Sequence, residues 1–165
     1  MSIVFSADEI FEMAEQIERN GAKFYRKTAE AAPAVRSRRL LEDLAAMEDS
    51  HEKTFASMRA DLSEQERAAM AFDPDDQAAL YLRAIADGHV FDVKTDPSQR
   101  LTGRETMDEI LRTGIGLEKD SIVFYTGIRE KVPERLGKDK VDAILKEEMS
   151  HVTLLSKELA GLKQA

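Results

Sequence analysis

The sequence predicts an all-α fold: four long helices arranged as two similar hairpins, joined by a long crossover that holds one or two short helices. Three observations carry this. The composition suits long solvated helices, with 34% charged residues, 42% apolar residues, few Gly or Pro and no Trp. Apolar residues recur at helical rather than strand spacing. The chain also matches itself, without a gap, when it is slid by 100 residues.

Taken in order, Ser6-x-x-Glu9 reads as a capping box that opens the first helix, with Asp8 and Glu9 at the positive end of its dipole. Ile10, Met13, Ile17, Ala22, Phe24 and Tyr25 follow at helical spacing, and Pro33 ends the stretch. A second helix is expected from about 34 to 60, with Leu40, Leu41, Leu44, Met47, His51, Phe55 and Met58 on one broad face. The segment from about 61 to 101 reads as the crossover. DLSEQERAAM suits a short helix, and Pro74 to about Asp87 another, with Asp73 as cap and Gly88 as stop. Thr102-x-x-Glu105 reads as the capping box of a third long helix carrying Ile110, Leu111, Leu117, Ile122, Phe124 and Tyr125. Pro133 ends it. A fourth is expected from about 134 to 160, stopped by Gly161. The whole chain, 1–165, then forms one domain: hairpin 1 at about 6–60, the crossover at about 61–101 and hairpin 2 at about 102–161.

The repeat does more than pair helices. Asp8-Glu9-Ile10 falls on Asp108-Glu109-Ile110, Glu18 on Glu118, and Phe24-Tyr25 on Phe124-Tyr125. Pro33 falls on Pro133, and Glu48, Ser50 and His51 fall on Glu148, Ser150 and His151. Two such hairpins can bury their apolar faces against each other about a pseudo-two-fold axis. A helix of about 26 residues is roughly 39 Å long, a length that a crossover of about 40 residues can run, so an up-down, crossover, down-up bundle is expected.

Glu48-x-x-His51 and Glu148-x-x-His151 each place a carboxylate and an imidazole one turn apart on one helix face. Glu18 and Glu118 add one carboxylate from each of the other two helices. Four carboxylates and two imidazoles directed into a bundle centre suit a carboxylate-bridged dinuclear metal site. Four buried glutamates without a cation would repel one another or take up protons, whereas two divalent ions neutralise them. Oxygen and nitrogen donors without sulfur favour iron or manganese, and zinc can occupy the same set. A single Glu-x-x-His means little in a chain this rich in Glu. Two of them, each 30 residues after another Glu, arise by chance on the order of once in ten thousand.

Other classes are disfavoured. A net charge of −8 argues against a nucleic-acid partner. The absence of cysteine rules out disulfides, thiolate zinc sites and iron–sulfur clusters within these residues. No apolar run reaches the ~20 residues of a membrane span. The opening MSIVFSADEIF lacks the pattern of a cleaved signal, which makes the cytoplasm the expected location.

At QIERNGAKFY and MEDSHEKTF in the first half, and GLEKDSIVFY and EEMSHVTLL in the second, the chain resembles the ferritin-like superfamily and, within it, rubrerythrin-type proteins. The resemblance covers both hairpins. It implies a non-haem di-iron centre, two iron ions per chain, that reduces hydrogen peroxide. Ferroxidase activity with iron storage or delivery is the alternative, and a structural bundle without enzymatic activity a second. Two departures bear on the reaction. Rubrerythrins pass electrons through a rubredoxin domain whose iron is held by four cysteines, so this cysteine-free chain implies an external electron-donor protein. Rubrerythrins also carry a further glutamate one turn after that of the third helix, where this chain has Ser121. The resemblance assigns Tyr25 and Tyr125 to hydrogen bonds near the metals or to supplying an electron; a buried tyrosine that merely finds an acceptor is the plainer alternative. Glu15 reads as solvated, His89 as a surface or loop residue, and Gly21 and Gly114 as space either for an oxidant or for close helix packing. A homodimer, possible by exchange of hairpins, is also expected.

Overall fold

The computed structural model describes residues 6–68, 96–130, 132 and 134–162, and among them all regular structure is helical. The long helices are α1 (Ala7–Ala31), α2 (Val35–Ala60), α4 (Met107–Arg129) and α5 (Lys138–Leu162). A short α3 (Glu64–Ala68) follows α2, and a 3-10 turn at Pro97–Arg100 precedes α4. The second expected crossover helix, Gly88 and His89 lie outside the described residues.

Chain direction follows from the contacts. In the first hairpin Arg19 meets Glu52 and Arg59 meets Asp8; in the second Arg129 meets Asp142. Between the hairpins, Tyr25 meets Glu118 while Tyr125 meets Glu18, so α1 and α4 run antiparallel. Ser37 meets Glu158 and Met47 meets His151, so α2 and α5 do too. This is the up-down, down-up order that the repeat and crossover predict.

The helix starts have local causes. Ser6 caps α1: its hydroxyl accepts from the Glu9 amide at 3.2 Å, and the Glu9 carboxylate accepts from the Ser6 amide at 2.8 Å. The same reciprocal box starts α4, but at Thr106 and Glu109 rather than at Thr102 and Glu105. Thr102 and Glu105 do hydrogen-bond each other, closing a turn ahead of the helix, where Gly103 has φ +80. The repeat held the correction, because Ser6 and Glu9 fall on Thr106 and Glu109. Thr106→Ala should lower stability by about 1 kcal/mol, read as a fall in melting temperature of roughly 2–4 °C.

The fourth long helix also starts later than expected. Residues Glu134–Leu136 form a 3-10 turn, and Gly137, at φ +97, reverses the chain before α5 begins at Lys138. Only a residue without a Cβ takes that left-handed conformation without strain. Gly161 does not stop α5, which runs on to Leu162. In the crossover, Ser63 and Glu66 form a small capping box on α3, and Arg67 ties α3 to Asp8 of α1 at 2.6 Å.

Two apolar clusters fill the bundle, one toward each end. The first contains Phe11, Phe55, Met58, Phe124, Tyr125, Ile128, Val141 and Ile144; the second Phe24, Tyr25, Leu41, Leu44, Ile110, Leu111 and Leu155. Met13, Ile17, Leu40, Met47, Leu117 and Ile122, expected on the buried face, are only partly buried, while Phe11 and Ala14 are fully so. The pseudo-two-fold shows in the aromatics. Phe24–Tyr25 and Phe124–Tyr125 pack edge to face, at 5.4 Å and 70° and at 5.8 Å and 73°. Along each long helix, the polar residues singled out by the repeat fall between the two clusters, where apolar packing shields them from water.

Candidate metal centre

Glu18 (α1), Glu48 and His51 (α2), Glu118 (α4), and Glu148 and His151 (α5) are all at most 4% exposed. Their donor atoms fall into two groups, Glu18–Glu48–His51–Glu148 and Glu48–Glu118–Glu148–His151, each with its atoms within 4.8 Å of one another. Glu48 and Glu148 belong to both. Each group therefore has one carboxylate and one imidazole of its own, and the two shared carboxylates join them. That is a donor set for two cations bridged by carboxylates.

The distances are those of a convergent set. His51 Nδ1 lies 2.9 Å from Glu148 Oε1 and 3.3 Å from Glu18 Oε2. His151 Nδ1 lies 3.3 Å from Glu118 Oε2, 3.4 Å from Glu48 Oε1 and 3.7 Å from Glu148 Oε2. The two rings are nearly parallel, with centroids 5.7 Å apart. Yet Glu18 Oε2, Glu48 Oε1, His51 Nδ1 and both Glu148 oxygens are buried without a hydrogen bond. They are close to one another but not aligned as donor and acceptor. Leaving so many buried polar atoms unsatisfied is costly. A cation placed among them satisfies every one, so the residues fit a metal pair.

Electrostatics points the same way. Burial and the neighbouring Glu18 push the Glu48 carboxyl well above the usual carboxylate range. Burial, with the Glu118 carboxylate beside it, pushes Glu148 up to about 8, and burial also raises Glu18. Against burial, the Tyr25 hydroxyl, the His151 imidazole and the neighbouring Glu148 hold Glu118 low. Burial disfavours charge on the imidazoles, but the carboxylates facing them outweigh it. Glu148 and Glu18 raise His51 to about 11; Glu118, Glu148 and Glu48 raise His151 to about 12. Without a metal the cluster holds protons where a cation would otherwise balance its charge.

Tyr25 and Tyr125 are buried, and each hydroxyl donates to the unshared glutamate of the opposite hairpin: Tyr25 to Glu118 Oε1, Tyr125 to Glu18 Oε1. Each tyrosine thus fixes one carboxylate oxygen and leaves the other facing the centre. Burial and the adjacent carboxylates push both phenols well above their ordinary value, so both keep their protons. Gly114 makes room for this: a Cβ there would lie 3.3 Å from the Tyr25 hydroxyl and from Leu155. Gly21 lies against the Glu48 carboxylate, 3.4 Å from where its own Cβ would be. Glu15 joins neither group; its carboxylate faces Arg59 at 3.5 Å and Arg19 at 3.9 Å. Ser121 donates to the Leu117 carbonyl at 3.1 Å.

The repeat does not pick out Glu147, because its counterpart is Met47. Glu147 Oε2 accepts from His51 Nε2 at 2.8 Å, whereas His151 Nε2 faces Met47 Sδ at 3.3 Å. The doubled glutamate of EEMSH, against MEDSH, was the signal in the sequence.

None of the described helices is long and apolar enough to cross a membrane. Among curated proteins, none matches the chain by sequence. The fold is similar to that of a Thermotoga maritima protein whose 2.30 Å crystal structure is described as a ferritin-like diiron-carboxylate protein, with a TM-score of 0.75 and 22% identity over 95% of this chain and 96% of that one. The rubrerythrin family model matches residues 9–160. With that match spanning both hairpins and every residue of the buried Glu/His cluster, the chain belongs to the rubrerythrin family.

Proposed function

We propose that this protein is a non-haem di-iron oxidoreductase that reduces hydrogen peroxide with electrons from an external donor, with Glu18, Glu48, His51, Glu118, Glu148 and His151 as the iron ligands. The observation that carries the reading is the pair of four-donor groups sharing Glu48 and Glu148, buried in a rubrerythrin-family chain. Four carboxylates balance the charge of two ferrous ions. Bound iron supplies one electron per ion, and two protons complete the conversion of one peroxide into two waters.

The chain's own residues set the conditions. The two apolar clusters limit access of water, which strengthens every electrostatic contact inside. The tyrosine hydroxyls hold Glu18 and Glu118 at fixed angles, so the centre is organised before an oxidant arrives. With no cysteine in the sequence to hold a second iron centre, the electrons come from outside these 165 residues.

One observation favours ferroxidase activity with iron storage or delivery instead. Ser121, whose hydroxyl is engaged by the Leu117 carbonyl, offers no fifth carboxylate as a seventh ligand. Anaerobic chain loaded with two Fe(II) and mixed rapidly with peroxide or oxygen separates the readings. Oxidation by peroxide at least about tenfold faster than by oxygen, a difference of about 1.4 kcal/mol in barrier, supports the peroxidase. Faster oxidation by oxygen sinks it.

A further inference from the structure

We infer that the two metal positions are unequal, and that Glu147 makes the Glu18–His51 position the tighter one, filled first. This rests on the ligand assignment proposed above.

The two halves of the centre are built from the same repeat, so a difference between them must come from residues that break it. The groups that touch the outer nitrogen of each imidazole do so. His51 Nε2 donates to a carboxylate at 2.8 Å; His151 Nε2 meets a thioether sulfur at 3.3 Å. A carboxylate is a strong acceptor, and a thioether is a weak one. The bond to Glu147 keeps the proton of neutral His51 on Nε2, so the Nδ1 lone pair faces Glu18 and Glu148. It also makes that nitrogen a better donor, because the carboxylate stabilises positive charge on the ring. Met47 does little of either for His151. Glu147 is a positioning residue: it acts through His51 and belongs to neither donor group.

The surroundings differ in the same sense. Between α2 and α5 an open groove of about 470 Å³ reaches His51, lined by Lys53, Thr54, Lys140 and Glu147 among others. Their counterparts 100 residues away are Thr153, Leu154, Leu40 and Met47. Leu40 and Met47 pack against the second apolar cluster. The outer nitrogen of His51 therefore faces a polar groove, where that of His151 faces the Met47 thioether. Glu147 is 55% exposed along its side chain. Lys53 and Lys140 line the same groove, and the contact Glu147 makes with the cluster is its hydrogen bond to His51. Outer hydrogen-bond partners of metal-bound histidines typically change affinity by roughly 10–100-fold, and the two positions should differ by that order.

The test uses the full metal-free chain with ¹⁵N-labelled histidine rings, titrated with Zn(II), a diamagnetic probe. Ring nitrogen shifts report which nitrogen is metallated at each equivalent, and calorimetry gives the stepwise affinities. In the natural chain, the first equivalent should move His51 Nδ1 and the second His151. In Glu147→Met, which copies the other half, the two rings should respond together, with the first affinity reduced roughly 10–100-fold. Met47→Glu should raise the second affinity and narrow the gap from the other side. Simultaneous response in the natural chain, His151 first, or an unchanged order in Glu147→Met would each overturn the inference while leaving the ligand assignment standing. Metallation of neither ring would overturn both.

Discussion

Saturating the metal-free chain with two divalent ions should raise its melting temperature by about 10–20 °C near neutral pH, and the gain should widen as pH rises. At free metal 100 times each dissociation constant, two sites contribute roughly 5 kcal/mol. For a chain of this size each kcal/mol shifts melting by about 2–4 °C. The pH dependence has a definite sign. Glu148, at about 8 in the folded chain against an ordinary 4.5, holds its proton more tightly folded than unfolded, as do Glu48 and Glu18. His51 at about 11 and His151 at about 12 do the same against an ordinary 6.5. The stability these groups contribute to the metal-free fold is fully present below their ordinary values. It is lost as pH climbs through the folded ones, from about 4.5 to 8 for Glu148 and from about 6.5 upward for the histidines. Glu118, held low, works the other way and only in acid. Metal binding needs deprotonated ligands, so affinity rises over the same range. Calorimetric melting of chelator-treated and Mn(II)-loaded chain at pH 5.5, 7 and 8.5 measures both curves. A gap that stays constant or narrows with pH would contradict the charge argument.

The second large effect is that of a shared ligand. Glu148→Gln should weaken both metal positions by at least about 100-fold, beyond the 10–100-fold typical of outer partners, because Glu148 belongs to both donor groups. Most of the thermal gain from metal should vanish with it. Glu18→Gln, in one group only, should leave one position near its natural affinity. The same Glu148→Gln chain, metal-free at pH 8, should melt higher than the natural one, since it removes a carboxyl that burial drives toward protonation. Two variants of one residue type thus give two stoichiometries, with opposite effects of Glu148→Gln on the loaded and empty states. Equal loss of both positions in Glu18→Gln would disprove the sharing.

How legible the molecule was depended on the kind of signal. The long helices and their order were readable because amphipathic periodicity and the shift of 100 residues, with thirteen identical pairs, agree along both hairpins. Boundaries were less so where two local signals compete. Thr102–Glu105 and Thr106–Glu109 are both capping pairs by composition, and only the second lies where the bundle continues. Gly137 and Gly161 look alike in sequence; the first turns at positive φ, and the second sits within α5. A glycine is permissive, and whether that freedom is used is decided by what packs around it.

For the Glu/His cluster, the sequence alone picked out which six residues belong together, because carboxylates and imidazoles repeated in register within two helical hairpins are hard to explain as solvated charges. It also determined that two hairpins must supply them equally. Only the tertiary structure decided which carboxylates are shared, that each tyrosine reaches the glutamate of the other hairpin, and that Glu147 and Met47 give the two histidines different neighbours. These are contacts between helices far apart in the chain. Spacing along one helix fixes which face a side chain leaves from, but only the packing of one hairpin on the other fixes what that side chain meets.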